Sequence, residues 1–319
     1  MASTAAPQNT PLHVGLFLAT CVSTFGVFFT LFGGGVLGGV ADRVWGSAMY
    51  AGVVMLILLS HELGHYFMAR AHGVDASLPY FIPFPLGFGT MGAVIRLRGR
   101  VPTRDALVDI GAAGPLAGLL IAVPMLFAGV WLSHVETLPM ATVAGDFPPT
   151  FSLLHFASML WLWIKGLAFG TPMPDWPQMQ IFGDNLLTWF AVKLIHGDIP
   201  AGSEVMAHPV FIAAWFGLVV TMLNLLPVGQ LDGGHLTHAW YGEKAEAIGR
   251  RVAVGALIMA LFFSASWLLW FILITRVIGV GHPPVVEPEK PLSRGRKVVV
   301  VITWVMTGLT FMPMPLSLG

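Results

Sequence analysis

Apolar residues follow one another along most of this chain in long runs that few charged residues interrupt. A transmembrane helix needs about 20 such residues in succession. Four runs reach that length, at residues 13–40, 47–70, 106–133 and 208–228. A fifth, 252–280, is long for one helix and has serines at its middle, so it is either one tilted helix, the form we expect, or two short ones. A short last run, 298–311, is a further candidate span.

Two segments between these runs are predicted to hold other structure. The first, 79–102, is rich in proline and glycine, and the extended composition of 90–97 predicts a strand or hairpin at the membrane edge. The second, 136–207, is acidic, and its apolar piece 151–170, which carries tryptophans, predicts an interfacial helix, with a further membrane span as the alternative. The predicted fold class is an all-α polytopic membrane protein with about six transmembrane helices and a short membrane-edge β-hairpin.

Composition supports a membrane protein and limits the chemistry. Of the 319 residues, 56% are hydrophobic and only 10% are charged, whereas a soluble domain carries about 25% charge. The 16 basic and 16 acidic residues cancel, so no net field recruits nucleic acid, which we exclude as a partner. A single cysteine, Cys21, excludes a disulfide scaffold and a thiolate zinc site. Any metal must therefore be held by histidine and carboxylate.

The second apolar run contains ionisable residues at metal-binding spacing. His61 and His65 are four residues apart with Glu62 beside the first, which is the pattern H-E-x-x-H. Each such side chain costs about 2.5 kcal/mol or more in lipid if it is charged and unpaired, so the three together predict a shared partner. A divalent cation is such a partner. Two imidazoles leave zinc one protein ligand short, and a catalytic site also keeps one position open for water.

The third ligand is predicted at the end of the fourth run, in NLLPVGQLDGGH. Pro227 and the neighbouring glycines should break that helix and expose Asp232 to a polar pocket. The structural alternative is a carboxylate that faces water at a helix end. His235 and His238 are competing ligands, which we rank lower because they follow the glycine break.

These residues carry a family resemblance. H-E-L-G-H in one transmembrane helix and N-L-L-P-x-x-x-L-D-G-G in a later one resemble the site-2 protease family of intramembrane zinc metalloproteases. GAAGPLAG, at 111–118, is similar to that family's glycine-rich motif, and the resemblance covers about 47–245. It implies a single role for each of five residues: Zn²⁺ ligands at His61, His65 and Asp232, a general base at Glu62, and a residue that orients the substrate carbonyl at Asn224.

The resemblance also bears on domain organisation. The segment 136–207 is shorter than a PDZ domain and lacks its strand pattern, so the chain resembles the PDZ-less branch. We expect one transmembrane metalloprotease domain over 1–319, with its catalytic core at about 47–245 and C-terminal helices at about 250–313. No CBS pair is expected after them.

The implied activity is hydrolysis of a peptide bond in or near a transmembrane segment of a membrane-protein substrate, with the lipid bilayer as the setting. A helical substrate hides its carbonyls in hydrogen bonds, so the target must unwind. The segment 90–97 is predicted to hold it as a neighbouring strand, although a hairpin that only plugs the bundle is the alternative. Other classes considered are a transporter or channel and a pseudoprotease that does not cleave.

Orientation follows from the positions of the ligands. His65 lies near the end of its run and Asp232 just past the end of another, so both helices must run in the same direction. The segment 136–207 then holds an even number of crossings, most simply none, and lies outside. Basic residues in 70–104 and in 244–251 place both of these segments in the cytosol by the positive-inside rule. The active site is therefore expected nearer the cytosolic face.

Overall fold

A computed structural model describes residues 9–32, 39–137, 152–169, 180–313 and 316–318. The described chain is mostly helical. Three of its helices are long and apolar enough to cross a membrane. They are α1, Thr10–Val27, which continues as a π-helical turn to Phe32, then α2, Val40–Ala71, and α3, Arg104–Leu132. Of the other spans expected from the sequence, 208–228 corresponds to the shorter apolar helix Pro209–Asn224, and 252–280 contains a second one, Ser266–Ile278. The expected span 298–311 overlaps the helix Arg294–Thr310.

The remaining helices and strands are short. The helices are α4 (Leu153–Phe169), α5 (Leu186–His196), α6 (Pro209–Asn224), α7 (Asp232–Tyr241), α8 (Ala245–Phe262), α9 (Ser266–Ile272, continued as a π-helix over Leu273–Ile278) and α10 (Arg294–Thr310). The strands are β1 (Tyr80–Pro83), β2 (Thr90–Val94), β3 (His134–Thr137), β4 (Gln180–Phe182), β5 (Ser203–Met206) and β6 (Leu316–Leu318). They form three two-stranded antiparallel sheets, β1–β2, β3–β5 and β4–β6.

The centre of the molecule is a bundle of α2, α3 and α6, which cross one another at glycines. A Cβ at Gly129 of α3 would lie 2.3 Å from the backbone nitrogen of Phe211 on α6. A Cβ at Gly217 of α6 would lie 2.8 Å from the side chain of Ile57 on α2. Small residues at crossings let helix backbones approach closely, which is how helices associate in lipid.

The predicted hairpin is present. Strands β1 and β2 pair in an antiparallel register that sets Tyr80 opposite Val94. The turn between them is held from two sides. Gly89, whose φ is +87°, packs against the backbone of Thr24 on α1, and the Tyr50 hydroxyl on α2 donates to the carbonyl of Phe88, 2.9 Å away.

The segment 136–207 returns to the side of the molecule where it starts. β3 follows α3 and β5 precedes α6, and these two strands pair with each other. Such pairing agrees with the predicted even number of crossings. The apolar piece expected as an interfacial helix forms α4, while the Pro-rich patch 171–177 lies outside the described residues.

The expectation of one helix across 252–280 is wrong, because α8 ends at Phe262 and α9 begins at Ser266. The hydroxyls of Ser264 and Ser266 lie 2.9 Å apart in the break, where they provide polar partners that an apolar helix lacks. Trp267 fixes the next turn, because its Nε1 donates to the carbonyl of Pro313 at 2.8 Å.

The two short helices form a hairpin. Gly249, near the start of α8, lies against Val280, just past the end of α9. The linker that follows, 279–293, returns to the segment before α3, where the Val286 amide donates to the Val101 carbonyl at 3.0 Å. The basic residues around the start of α10 therefore lie on the same side as the basic segment 70–104.

Candidate metal centre

The H-E-x-x-H residues occupy one part of α2. A spacing of four residues places the imidazoles of His61 and His65 on the same face of a helix. Both imidazoles and the Glu62 side chain are buried. The helix therefore presents three ionisable groups to the interior of the bundle.

A sharp turn brings Asp232 to that face. α6 ends at Asn224, and α7 begins at Asp232. Gly233 makes the turn possible, because a Cβ there would lie 2.0 Å from the carbonyl oxygen of Leu225. The predicted break of this helix is thus present. It places the carboxylate at a helix N-terminus, where the helix dipole favours negative charge.

The three predicted ligands converge. The Nε2 atoms of His61 and His65 lie 3.1 Å apart. Each is also 3.1 Å from one oxygen of the Asp232 carboxylate. Three potential ligand atoms, one from each of the three residues, lie within 4.8 Å of one another. Two imidazoles and a carboxylate form a donor set typical of catalytic zinc, so these residues fit a zinc ion.

A backbone carbonyl orients His65. Its Nδ1–H donates to the carbonyl oxygen of Ile110 on α3, 2.7 Å away, which leaves the Nε2 lone pair directed at Asp232. Partners of this kind fix the tautomer of metal-binding histidines. Sequence reasoning missed this contact, since a backbone carbonyl leaves no residue signature.

The glycine-rich motif of α3 lies directly behind the imidazoles. A Cβ at Gly114 would lie 2.0 Å from Nε2 of His65, and one at Gly118 would lie 3.3 Å from Nδ1 of His61. On α2, a Cβ at Gly64 would lie 2.4 Å from the carbonyl oxygen of Ala113. These glycines let α2 and α3 approach until the imidazoles fit between them.

The donors open onto a cavity of about 160 Å³. Glu62 lies in its wall, where the backbone amide of Ile95 faces the carboxylate. The Asn224 amide nitrogen is 3.4 Å from Nε2 of His61, so this side chain also faces the site. The predicted substrate segment 90–97 contributes Ala93, Val94, Ile95 and Leu97 to the lining. The lining residues that the sequence analysis did not place here are Ile110, Gln230 and Leu231.

His235 and His238, the competing ligands, are not members of the donor cluster. His235 lines the cavity, but its Nδ1 faces His282. His238 stacks on the same His282 ring. The carboxylate, and neither of these imidazoles, completes the group formed by the two histidines of α2.

Comparison with known proteins defines the class. Residues 49–266 match Peptidase family M50, and the chain belongs to this membrane-embedded family. The matched region holds every residue of the donor cluster and the glycine-rich motif. No solved structure matches the chain.

Curated relatives share this region. The chain is 31% identical over 263 residues to "Probable zinc metalloprotease EGY1, chloroplastic" of Arabidopsis thaliana, which is 82% of this chain and 42% of that protein. It is 28% identical over 234 residues to "Probable zinc metalloprotease EGY2, chloroplastic" of Oryza sativa subsp. indica, which is 73% of this chain and 36% of that protein. It thus spans less than half the length of either relative.

Proposed function

We propose that this protein is an intramembrane zinc metalloprotease that hydrolyses a peptide bond in or near a transmembrane segment of a membrane-protein substrate. The observation that carries the proposal is the convergence of His61, His65 and Asp232 beside Glu62 in a cavity enclosed by apolar helices. Membership of a peptidase family and similarity to proteins named zinc metalloproteases support it.

Each residue has a role in this proposal. His61, His65 and Asp232 hold the zinc. When bound, zinc lowers the pKa of a water molecule towards about 7 and polarises the scissile carbonyl. Glu62 takes the proton of the attacking water and later delivers it to the leaving amine nitrogen. Asn224 orients the substrate carbonyl, which its position beside His61 permits.

We propose that the substrate binds along the free edge of β2, the edge that does not face β1. Ser77 and Arg96 bond through their backbones on the β1 side, where the Ser77 amide donates to the Arg96 carbonyl at 3.0 Å. Backbone groups alternate between the two edges of a strand, so those of Ala93 and Ile95 face the other edge. That edge lines the cavity and pairs with no other strand among the described residues.

An unwound substrate could add to this edge through backbone hydrogen bonds. Strand addition of this kind binds many sequences, since the bonds do not depend on side chains. The hairpin would hold the scissile carbonyl opposite Glu62. This proposal goes beyond the alternative in which β1 and β2 only fill the bundle.

We further propose a multi-pass topology of about six crossings in one metalloprotease domain, with its catalytic core at about 47–245. Large apolar side chains such as Val22 on α1 and Leu120 on α3 are exposed, as expected next to lipid. The segment 70–104 and the linker 279–293 lie on one side of the molecule. The first contains several arginines, and basic residues follow the second at the start of α10. The positive-inside rule then assigns that side, which is nearer the active site, to the cytosol, and 136–207 to the outside.

The test is metal analysis of the purified full chain together with cleavage of a reporter that contains a transmembrane segment. We expect bound zinc, loss of cleavage after chelation, and recovery when zinc is returned. Cleavage that persists in zinc-free protein would overturn the proposal. So would zinc-free protein that transports an ion, which is the outcome expected of a transporter.

A further inference from the structure

A second histidine cluster lies beside the catalytic cavity, outside the proposed ligand set. His235 and His238 are on adjacent turns of α7, and His282 is on the linker between α9 and α10. Nδ1 of His235 and Nε2 of His282 lie 2.6 Å apart. The proposed hydrolysis uses none of these three side chains.

His282 is oriented in the same way as His65 of the catalytic site. Its Nδ1–H donates to the carbonyl oxygen of Pro283 at 2.6 Å, so the Nε2 lone pair points at His235. The His238 ring stacks on His282 with centroids 4.2 Å apart and an interplanar angle of 17°, which fixes the plane of the ring. A fixed tautomer and a fixed ring plane are what metal-binding histidines receive from their surroundings.

Burial is the main cause that favours the neutral form of the His238 and His282 imidazoles. Burial, together with the proximity of His235 and His238, lowers the pKa of His282 to about 3. Burial, together with Arg104, also lowers the pKa of His238. Neutral imidazole is the form that binds metals such as zinc.

We infer that His235 and His282 form a second divalent-cation site, of the kind that zinc fills, beside the catalytic cavity. Zinc–nitrogen bonds of about 2.0–2.1 Å at a tetrahedral angle place two nitrogens about 3.3 Å apart. The two rings must therefore separate by less than about 1 Å. Gly281, which precedes His282 in the linker, is open on its Cβ side, where an added Cβ would meet nothing within 4 Å.

The position of this outer site suits a cation on its way to the catalytic donors. His235 faces His282 with its ring nitrogen and lines the cavity that holds His61 and His65. A cation held by the outer pair therefore lies between the linker and the catalytic centre. Water completes its coordination, and His238 acts as a positioning residue.

Zinc stoichiometry of the purified full chain, measured by equilibrium dialysis and elemental analysis, tests the inference. We expect about two equivalents in the wild type. The double variant His61→Ala/His65→Ala, which leaves α7 unchanged, should keep about one. Adding His282→Ala to that variant should weaken the remaining site by roughly tenfold or more. Adding His134→Ala, which removes an exposed histidine of β3, should leave it unchanged.

Two results would overturn the inference. One is a double variant that is folded, by its thermal unfolding transition, and binds no zinc. The other is unchanged binding after His282→Ala. If the double variant does not fold, His282→Ala in the otherwise intact chain gives the same answer, as a fall from about two equivalents to about one. A wild type that binds two equivalents but cleaves no substrate would contradict the proposed protease and leave the outer site standing.

Discussion

The metal centre and the β1–β2 hairpin face the same cavity but are built by different means. At the metal centre the chemistry belongs to side chains: His61 and His65 share one face of α2 because of their spacing, and glycines of α3 leave room for their imidazoles. At the hairpin the proposed chemistry belongs to the backbone of Ala93 and Ile95, whose side chains carry no reactive group. Side-chain chemistry leaves a recognisable spacing in a sequence, whereas backbone chemistry leaves only a composition. Three experiments test this difference, and a fourth tests the membrane topology around it.

The largest effect is expected from Asp232→Ala, which removes the one charged ligand. At zinc concentrations that fill only the tighter site, we expect zinc content to fall and cleavage to drop by more than about 100-fold. The matched control is His235→Ala, three residues along the same helix, which should keep the catalytic zinc. If the two effects were reversed, His235 would be the third ligand.

Gly114→Ala tests whether the metal centre depends on the close approach of α2 and α3. The added Cβ would lie 2.0 Å from Nε2 of His65, so the ring or the helix must shift. We expect a loss of about 1–3 kcal/mol in stability and a loss of zinc affinity of about 10–100-fold. Gly52→Ala is the control, because a Cβ at Gly52 of α2 meets nothing within 4 Å. Equal behaviour of the two variants in zinc titration and thermal unfolding would contradict this account.

A proline in β2 tests whether the backbone of this strand binds the substrate. Ala93→Pro removes an amide from the free edge, so cleavage should fall about tenfold while zinc content and the unfolding temperature stay near wild type. Val94→Pro instead removes an amide on the β1 side and should lower the unfolding temperature. Unchanged cleavage in folded Ala93→Pro would leave the hairpin as a structural plug.

The smallest effect concerns topology and should leave activity intact. A cysteine introduced at Val286, an exposed position of the linker, should resist a membrane-impermeant thiol reagent in intact cells and react after lysis. The control is the same chain without this cysteine. Labelling in intact cells would place the linker outside, against the proposed cytosolic side of the active site.

The convergence of the three side chains at the metal centre could be predicted from the sequence. The spacing of His61 and His65 requires a partner in lipid, and the break after Asn224 supplies the approach of Asp232, which the structure brings within 3.1 Å of both imidazoles. The order of apolar runs likewise predicts the central helices. These features follow from local periodicity and from the cost of isolated charge.

Other features depend on contacts between distant segments, which local patterns do not encode. The carbonyl that orients His65 belongs to Ile110, a residue whose side chain has no part in the bond. The fold-back of α8 on α9 depends on Gly249 meeting Val280, and the length of the apolar run suggested one helix instead. His282 has no motif, and only the return of the linker brings it to His235.

The most direct test of the proposed mechanism is Glu62→Gln, assayed for zinc content and for cleavage of a transmembrane reporter in the same preparation. Glutamine keeps the size of the side chain but cannot accept the proton of the attacking water. The account predicts zinc content equal to wild type and no measurable cleavage. Cleavage above a few per cent of wild type, with zinc bound, would contradict the role of Glu62 and with it the proposed mechanism.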